Sequence, residues 1–172
     1  MNYRLIIYTL ALCFIFSSIS CNKSDDNTIS IDYLETWIGE YEGQAIETKT
    51  LSGGGTVVES VPVEVSITRG TDAENELLVN ITFTYSSQQP NTFDFLANVD
   101  QEQNKVSLLD KNFIDNEGTV RITRDFSGGE AEFSTASENL KIIMDESKSQ
   151  YIIDDEKELL YTSSHLLETN VK

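Results

Sequence analysis

The chain holds little that could carry thiol or metal chemistry. Its two cysteines, Cys13 and Cys21, both precede residue 22. Everything after them is therefore free of disulfides, thiolate nucleophiles and thiolate metal ligands. There is one histidine, His165, in 172 residues. That excludes a His-cluster metal site and speaks against a Ser-His-Asp or Cys-His enzyme. Positive charge is scarce as well: 12 Lys+Arg stand against 29 Asp+Glu, a formal net charge of -17. A surface of that sign repels phosphates, so nucleic acid is not expected as a partner. No apolar run reaches the ~20 residues of a membrane-spanning helix. No long amphipathic helical pattern occurs either.

What is present suffices for one domain. Hydrophobic residues make up 39% of the chain, enough for a packed core. The first segment stands apart from it. Arg4 supplies a positive charge, Leu5 to Phe16 is almost wholly apolar, and a serine-rich stretch leads to Cys21. That order is the pattern of a secretory signal peptide over residues 1–20. Asn22 to Asn27 is polar and reads as a flexible acidic tether, taken as residues 21–30.

Ser18-Ile19-Ser20-Cys21 resembles the lipobox of bacterial lipoproteins. The resemblance implies cleavage before Cys21 and a diacylglyceryl anchor on it, so that the membrane is the first partner. Buried acyl chains contribute ~0.8 kcal/mol per CH₂ to such anchoring. A plain signal peptide with an incidental cysteine is the alternative. Lys23 followed by Asp25 and Asp26 resembles the acidic export tag of Bacteroidetes surface lipoproteins. It implies a lipid-anchored, surface-exposed place on the outer membrane.

From residue 31 to 165 the chain reads as short strands divided by turns. One helical turn is expected between Ile29 and Trp37, with Asp32 as its cap. Val57, Val61, Val63, Val65 and Ile67 alternate with Ser60, Glu64, Ser66 and Thr68. Leu77, Val79, Ile81, Phe83 and Tyr85 alternate with Asn80, Thr82 and Thr84. A period of two marks strands with one dry and one wet face. Val57, Val63, Val65, Ile67, Leu77, Val79, Ile81 and Phe83 are accordingly expected to be buried, and Glu64, Ser66, Thr68, Asn80, Thr82 and Thr84 to be largely exposed. Pro62 lacks an N–H and predicts an edge, bulge or break. Further alternating segments follow up to Tyr161, and residues 166–172 read as a tail.

The count is about eight to ten strands with short connections, which favours antiparallel neighbours. With no helices to cover a sheet, the chain must close a barrel or stack two sheets. Closure removes exposed edges and is favoured. The predicted class is therefore all-β, an antiparallel meander barrel after a short N-terminal helical turn. Trp37-Ile38-Gly39-Glu40-Tyr41-Glu42-Gly43 resembles the opening of lipocalin-like, or calycin-like, domains of Bacteroidetes lipoproteins. That resemblance implies a meander barrel with, at most, an apolar ligand cavity.

Candidate chemistry is sparse. Glu40 with Glu42, and Glu130 with Glu132, share strand faces as solvated outer positions do. Asp110, Asp115, Asn116 and Glu117 do not have the spacing of a calcium loop. Asp154, Asp155, Glu156 and Glu158 suit a solvated turn. Gly53-Gly54-Gly55 has no lysine or helix after it and suits a hairpin tip. His165 is expected at the surface. Trp37, Tyr41, Phe83, Tyr85, Phe93 and Phe95 are expected as core, or as the lining of a ligand cavity. The leading expectation is a non-enzymatic, lipid-anchored protein without cofactor that binds a small apolar ligand or an envelope protein. The alternative is an accessory subunit of an outer-membrane complex with a filled barrel.

Overall fold

The computed structural model describes residues 32–71, 74–86, 89–117, 120–134, 136–153 and 156–172. The expected signal peptide, the tether and Cys21 lie outside the described residues, as do Asp154 and Asp155. Ten strand segments follow one helical turn, Tyr33–Thr36, that Asp32 caps by accepting the Leu34 N–H at 3.1 Å. They are β1 Gly39–Leu51, β2 Thr56–Arg69, β3 Glu76–Phe83, β4 Asn91–Asp100 and β5 Lys105–Leu108. Then come β6 Lys111–Glu117, β7 Val120–Phe126, β8 Gly129–Ser134, β9 Asn139–Ile153 and β10 Glu156–Val171.

All pairings are antiparallel, and β10 bonds to both β1 and β9, which closes the sheet. The ten segments occupy eight positions around the barrel. Leu108 faces Gly129 and Lys111 faces Phe126 in one unbroken register. So β5 with β6 is one long strand interrupted at Leu109-Asp110. Its partner, β7 with β8, is interrupted at Ser127-Gly128, and both halves lie along β9. The two interruptions face each other. Gly128 has φ +95, and a Cβ added there would lie 2.7 Å from the Leu108 carbonyl oxygen. Only glycine fits this close approach with that backbone. The result is an up-and-down meander in which each chain neighbour is also a sheet neighbour.

The inward face follows the alternation read from the sequence. Val63, Val65, Ile67, Leu77, Val79, Ile81 and Phe83 are all buried. Glu64 and Thr68 are exposed, while Ser66, Asn80 and Thr82 are half-buried. Val57 departs from expectation at 45% exposure. Its parity is inward, but β3 ends at Phe83, whose partner on β2 is Val63. The earlier residues of β2 form a hairpin with β1 that β3 does not cover.

Pro62 sits at the same boundary. Its carbonyl accepts the Thr84 N–H at 3.0 Å, so its ring nitrogen also faces the β3 side, just past the end of the ladder. No β1–β2 bond is lost. The tail expected at residues 166–172 is instead strand: β10 runs to Val171, and Leu167 and Thr169 are fully buried against β1 and β9.

Gly43 makes that closure possible. A Cβ there would lie 2.1 Å from the Glu168 carbonyl oxygen and 2.7 Å from the Thr169 Cα. The helical turn covers the near end of the barrel. Leu34 and Trp37 are buried there, Tyr41 donates its hydroxyl to the Trp37 carbonyl at 2.8 Å, and Phe133 packs on both rings.

Candidate functional site

Inward side chains on neighbouring strands line up in layers, because the antiparallel register places them side by side. Near the helical turn the layers are dry. Ala45 faces Leu167, and Leu167 faces Ile142, which faces Ala131. One step further along β1 the chemistry changes. Glu47 faces His165, and His165 faces Met144. The next layer runs Lys49, Ser163, Ser147, Phe126, and the one after it Leu51, Tyr161, Ser149, Arg124.

A β-bulge makes this possible. On β9 the inward residues are Leu140, Ile142 and Met144, then Ser147 and Ser149. Between Met144 and Ser147 two residues, Asp145 and Glu146, oppose the single Ser164 of β10. Both acids point outward and are exposed. Without the extra residue the inward parity would continue through Glu146 and Lys148.

The polar layers surround a cavity of about 720 Å³. Its apolar wall includes Val61, Phe93, Ile122 and Phe126, and its polar wall Lys49, Tyr85, Arg124, Ser149, Tyr161 and Ser163. The Glu47–His165 layer separates this cavity from the filled half of the barrel. Phe83 backs His165, with ring centres 5.2 Å apart.

Glu47 is 2% exposed and holds three donors. His165 Nε2 lies 3.2 Å from Oε1, and Lys49 Nζ lies 2.9 Å from Oε2. The Tyr85 hydroxyl donates to Oε2 at 3.0 Å. Burial alone would raise the Glu47 carboxyl. The hydrogen bonds from His165 and Lys49 outweigh it and hold the carboxyl down to about 2. Burial, reinforced by the charge of Glu47, pushes the Tyr85 phenol up, so it stays a donor. Burial would lower Lys49, but its bonds to Glu59 and Glu47 raise it. Its ammonium also sits over the Tyr85 and Tyr161 rings, at 5.2 and 5.7 Å.

Glu47 is thus an ionised anchor with a donor on each of its two oxygens. It fixes three cavity-lining side chains and is not placed to take a proton. His165 has the Nε2–H toward Glu47, and its buried Nδ1 has no hydrogen-bond partner among the described residues. Among the described residues no hydroxyl bonds to that nitrogen.

Of the six aromatics singled out from the sequence, Tyr85 and Phe93 line the cavity. Phe83 and Phe95 are fully buried beneath it, within the ring cluster formed with Phe93, Phe113 and Phe126. Trp37 and Tyr41 belong to the closed end. His165, expected at the surface, is 5% exposed. Glu47, Lys49, Arg124 and the serines were not singled out. Parity was the signal available for Glu47, which continues the inward series Tyr41, Gly43, Ala45. The cavity is also more polar than the expected apolar pocket.

No protein-family model and no curated protein matches this chain. Among solved structures, the S-type phycobiliprotein lyase CPES from Guillardia theta is similar at a TM-score of 0.35 and 10% identity. The match covers 82% of this chain and 92% of that one. The expectation of a non-enzymatic protein is corrected on this point. The similar structure is named as a lyase.

Proposed function

We propose that the protein is a lipid-anchored envelope protein whose barrel binds one small amphipathic molecule. The observation that carries the binding reading is the division of the interior into a packed half and a hollow half. A barrel of about eight strands can be filled by its side chains or hold a small ligand. Here β9 and β10 place Ser147, Ser149 and Ser163 inward in the upper layers, where Phe or Leu would fill the space. The cavity lies within the ~300–1,000 Å³ range of small-molecule sites. Its apolar wall suits an apolar body and its polar wall a hydrogen-bonding end. The anchor reading rests on residues 5–21 of the sequence, with display on the outer membrane resting on Lys23, Asp25 and Asp26.

Titration with Nile red, a neutral apolar dye, tests the cavity. Wild-type protein is expected to give a saturable one-to-one rise in fluorescence. Ser149→Trp, which places an indole in the cavity, is expected to weaken it at least tenfold with the unfolding midpoint retained. No saturable binding by the wild type, or equal binding by both, would overturn the reading.

A further inference from the structure

Several polar groups around the cavity are satisfied within the protein. Glu47 accepts from Lys49, Tyr85 and His165, and Lys49 also bridges to Glu59. The Ser147 hydroxyl lies 2.8 Å from that of Ser163 and 3.3 Å from the Ser163 carbonyl oxygen. One group differs. Among the described residues four buried side-chain atoms lack a hydrogen-bond partner: Trp37 Nε1, Glu76 Oε1, Thr123 Oγ1 and His165 Nδ1. Of these four residues only His165 lines the cavity.

The cause lies in how the ring is held. Nε2 lies 3.2 Å from Glu47 Oε1 on β1. A carboxylate only accepts, so this contact puts the ring hydrogen on Nε2 and leaves a lone pair on Nδ1. The two nitrogens lie on different edges of the ring, so Nδ1 is turned away from β1. On the side of β9, His165 faces Met144, and the Phe126 ring of the cavity wall has its centre 6.3 Å away. Phe83 backs the ring from β3. None of these three side chains has a hydrogen to donate to nitrogen. At 5% exposure the residue is also shut off from bulk water. A buried acceptor without a donor costs free energy that a donor group seated in the cavity would recover.

We infer that His165 Nδ1 is the hydrogen-bond acceptor for the cavity's ligand, so that the ligand carries a hydroxyl or N–H group and donates it at the cavity floor. The inference rests on the cavity-binding reading above. The apolar body of the ligand lies on Phe93, Ile122 and Phe126, which line the same cavity. Glu47 is then a positioning residue. It fixes the tautomer and, by accepting at Nε2, strengthens Nδ1 as an acceptor. The same geometry narrows the ligand class. Alcohols, phenols and amides can satisfy the lone pair, whereas a carboxylate or an ether has no hydrogen to give.

His165 is the single histidine of the chain, so labelling with nitrogen-15 histidine gives one pair of ring signals. Long-range proton–nitrogen spectra at mildly alkaline pH are expected to show the hydrogen on Nε2 and the lone pair on Nδ1. Saturation with 2-naphthol is expected to move the Nδ1 signal upfield. The probe 2-methylnaphthalene, of nearly the same shape but without a donor, is expected to leave it in place. Competition with Nile red gives the affinities. The preference for 2-naphthol over 2-methylnaphthalene is expected to fall about fivefold in His165→Met, the factor for one hydrogen bond of ~1 kcal/mol. Should His165→Met fail to fold, the wild-type spectra decide alone. A lone pair on Nε2, or hydrogen on both nitrogens, would overturn the inference. So would an Nδ1 signal that 2-naphthol leaves unmoved, one that both probes move alike, or a preference unchanged in His165→Met. Each of these leaves the cavity reading standing, as does a failure of 2-naphthol to displace bound Nile red, which also overturns the inference. No saturable Nile red binding would overturn the cavity reading, and this inference with it.

Discussion

Glu47 and His165 face each other across the closing seam of the barrel, Oε1 to Nε2 at 3.2 Å, at 2% and 5% exposure. The pair marks where packing ends and the cavity begins. Its carboxylate is held at about 2, against an ordinary 4.5. A carboxyl lowered on folding stabilises the fold above its unfolded value, and that stability is lost as pH falls toward the folded value. Glu47→Gln is therefore expected to be less stable than wild type at pH 7 by roughly 3 kcal/mol. The gap should narrow as pH drops from about 4.5 and close near 2. Urea unfolding of both proteins across that range gives the difference. A constant gap down to pH 2 would show that the carboxylate charge is not what the pair contributes.

Gly43 and Gly39 belong to one short motif, yet their surroundings differ. At Gly43 an added methyl meets backbone of Glu168 and Thr169 at 2.1 to 2.9 Å, and backbone cannot step aside. At Gly39 the nearest atoms are those of the Tyr41 ring at 3.5 Å, an ordinary contact. Gly43→Ala is expected to cost about 3 kcal/mol or more by forcing β1 and β10 apart, and Gly39→Ala less than about 1 kcal/mol. Chemical denaturation ranks the two. Equal losses would mean that the seam is not the tight point of the barrel.

How much of this was legible follows from parity. On β1 to β4 the inward residues are mostly apolar and the outward ones polar, so a period of two showed both the strands and their dry face. The meander followed from the short connections. The interruption at Ser127-Gly128 shows in the sequence only as a glycine break and the one at Leu109-Asp110 not at all, so the pattern left the count at eight to ten strands and did not show that ten segments fill eight positions. The site was harder to see, because an inward polar residue looks like an outward one unless parity is carried through it. Glu47 and Lys49 keep the parity of Tyr41 and Ala45, and His165 that of Leu167. On β9 even parity failed. The bulge at Asp145-Glu146 shifts the inward set by one, and only the partner strand makes that visible.

The anchor proposed at Cys21 has its own test. Expressed with its leader in a bacterium that lipidates such proteins, the wild type is expected to incorporate an alkyne-tagged fatty acid and to sediment with membranes. Cys21→Ser should lose the label and appear either as a larger unprocessed form or in the soluble fraction. A single myristoyl-sized chain binds membranes only marginally, so stable sedimentation calls for more than one acyl chain. Unchanged labelling of Cys21→Ser would remove the anchor from this residue.

Parity alone also mispredicts burial where a strand outruns its neighbour, and two valines of β2 make the case. Val65 and Val57 both point inward by parity, and both sit opposite β1, Val65 at Tyr41 and Val57 at Lys49. Val65 also has Ile81 of β3 on its other side and is fully buried. Val57 has no β3 neighbour and is 45% exposed. An aspartate at 65 would place an unpaired carboxylate among Tyr41, Val63 and Ile81. Val65→Asp is expected to lose several kcal/mol, about 3–5, or to fail to fold. Val57→Asp, with water at hand to solvate the charge, should change stability by no more than about 0.5 kcal/mol. Thermal unfolding of the pair measures the difference. A large loss at Val57 would mean that the β1–β2 hairpin packs over the mouth of the cavity in solution.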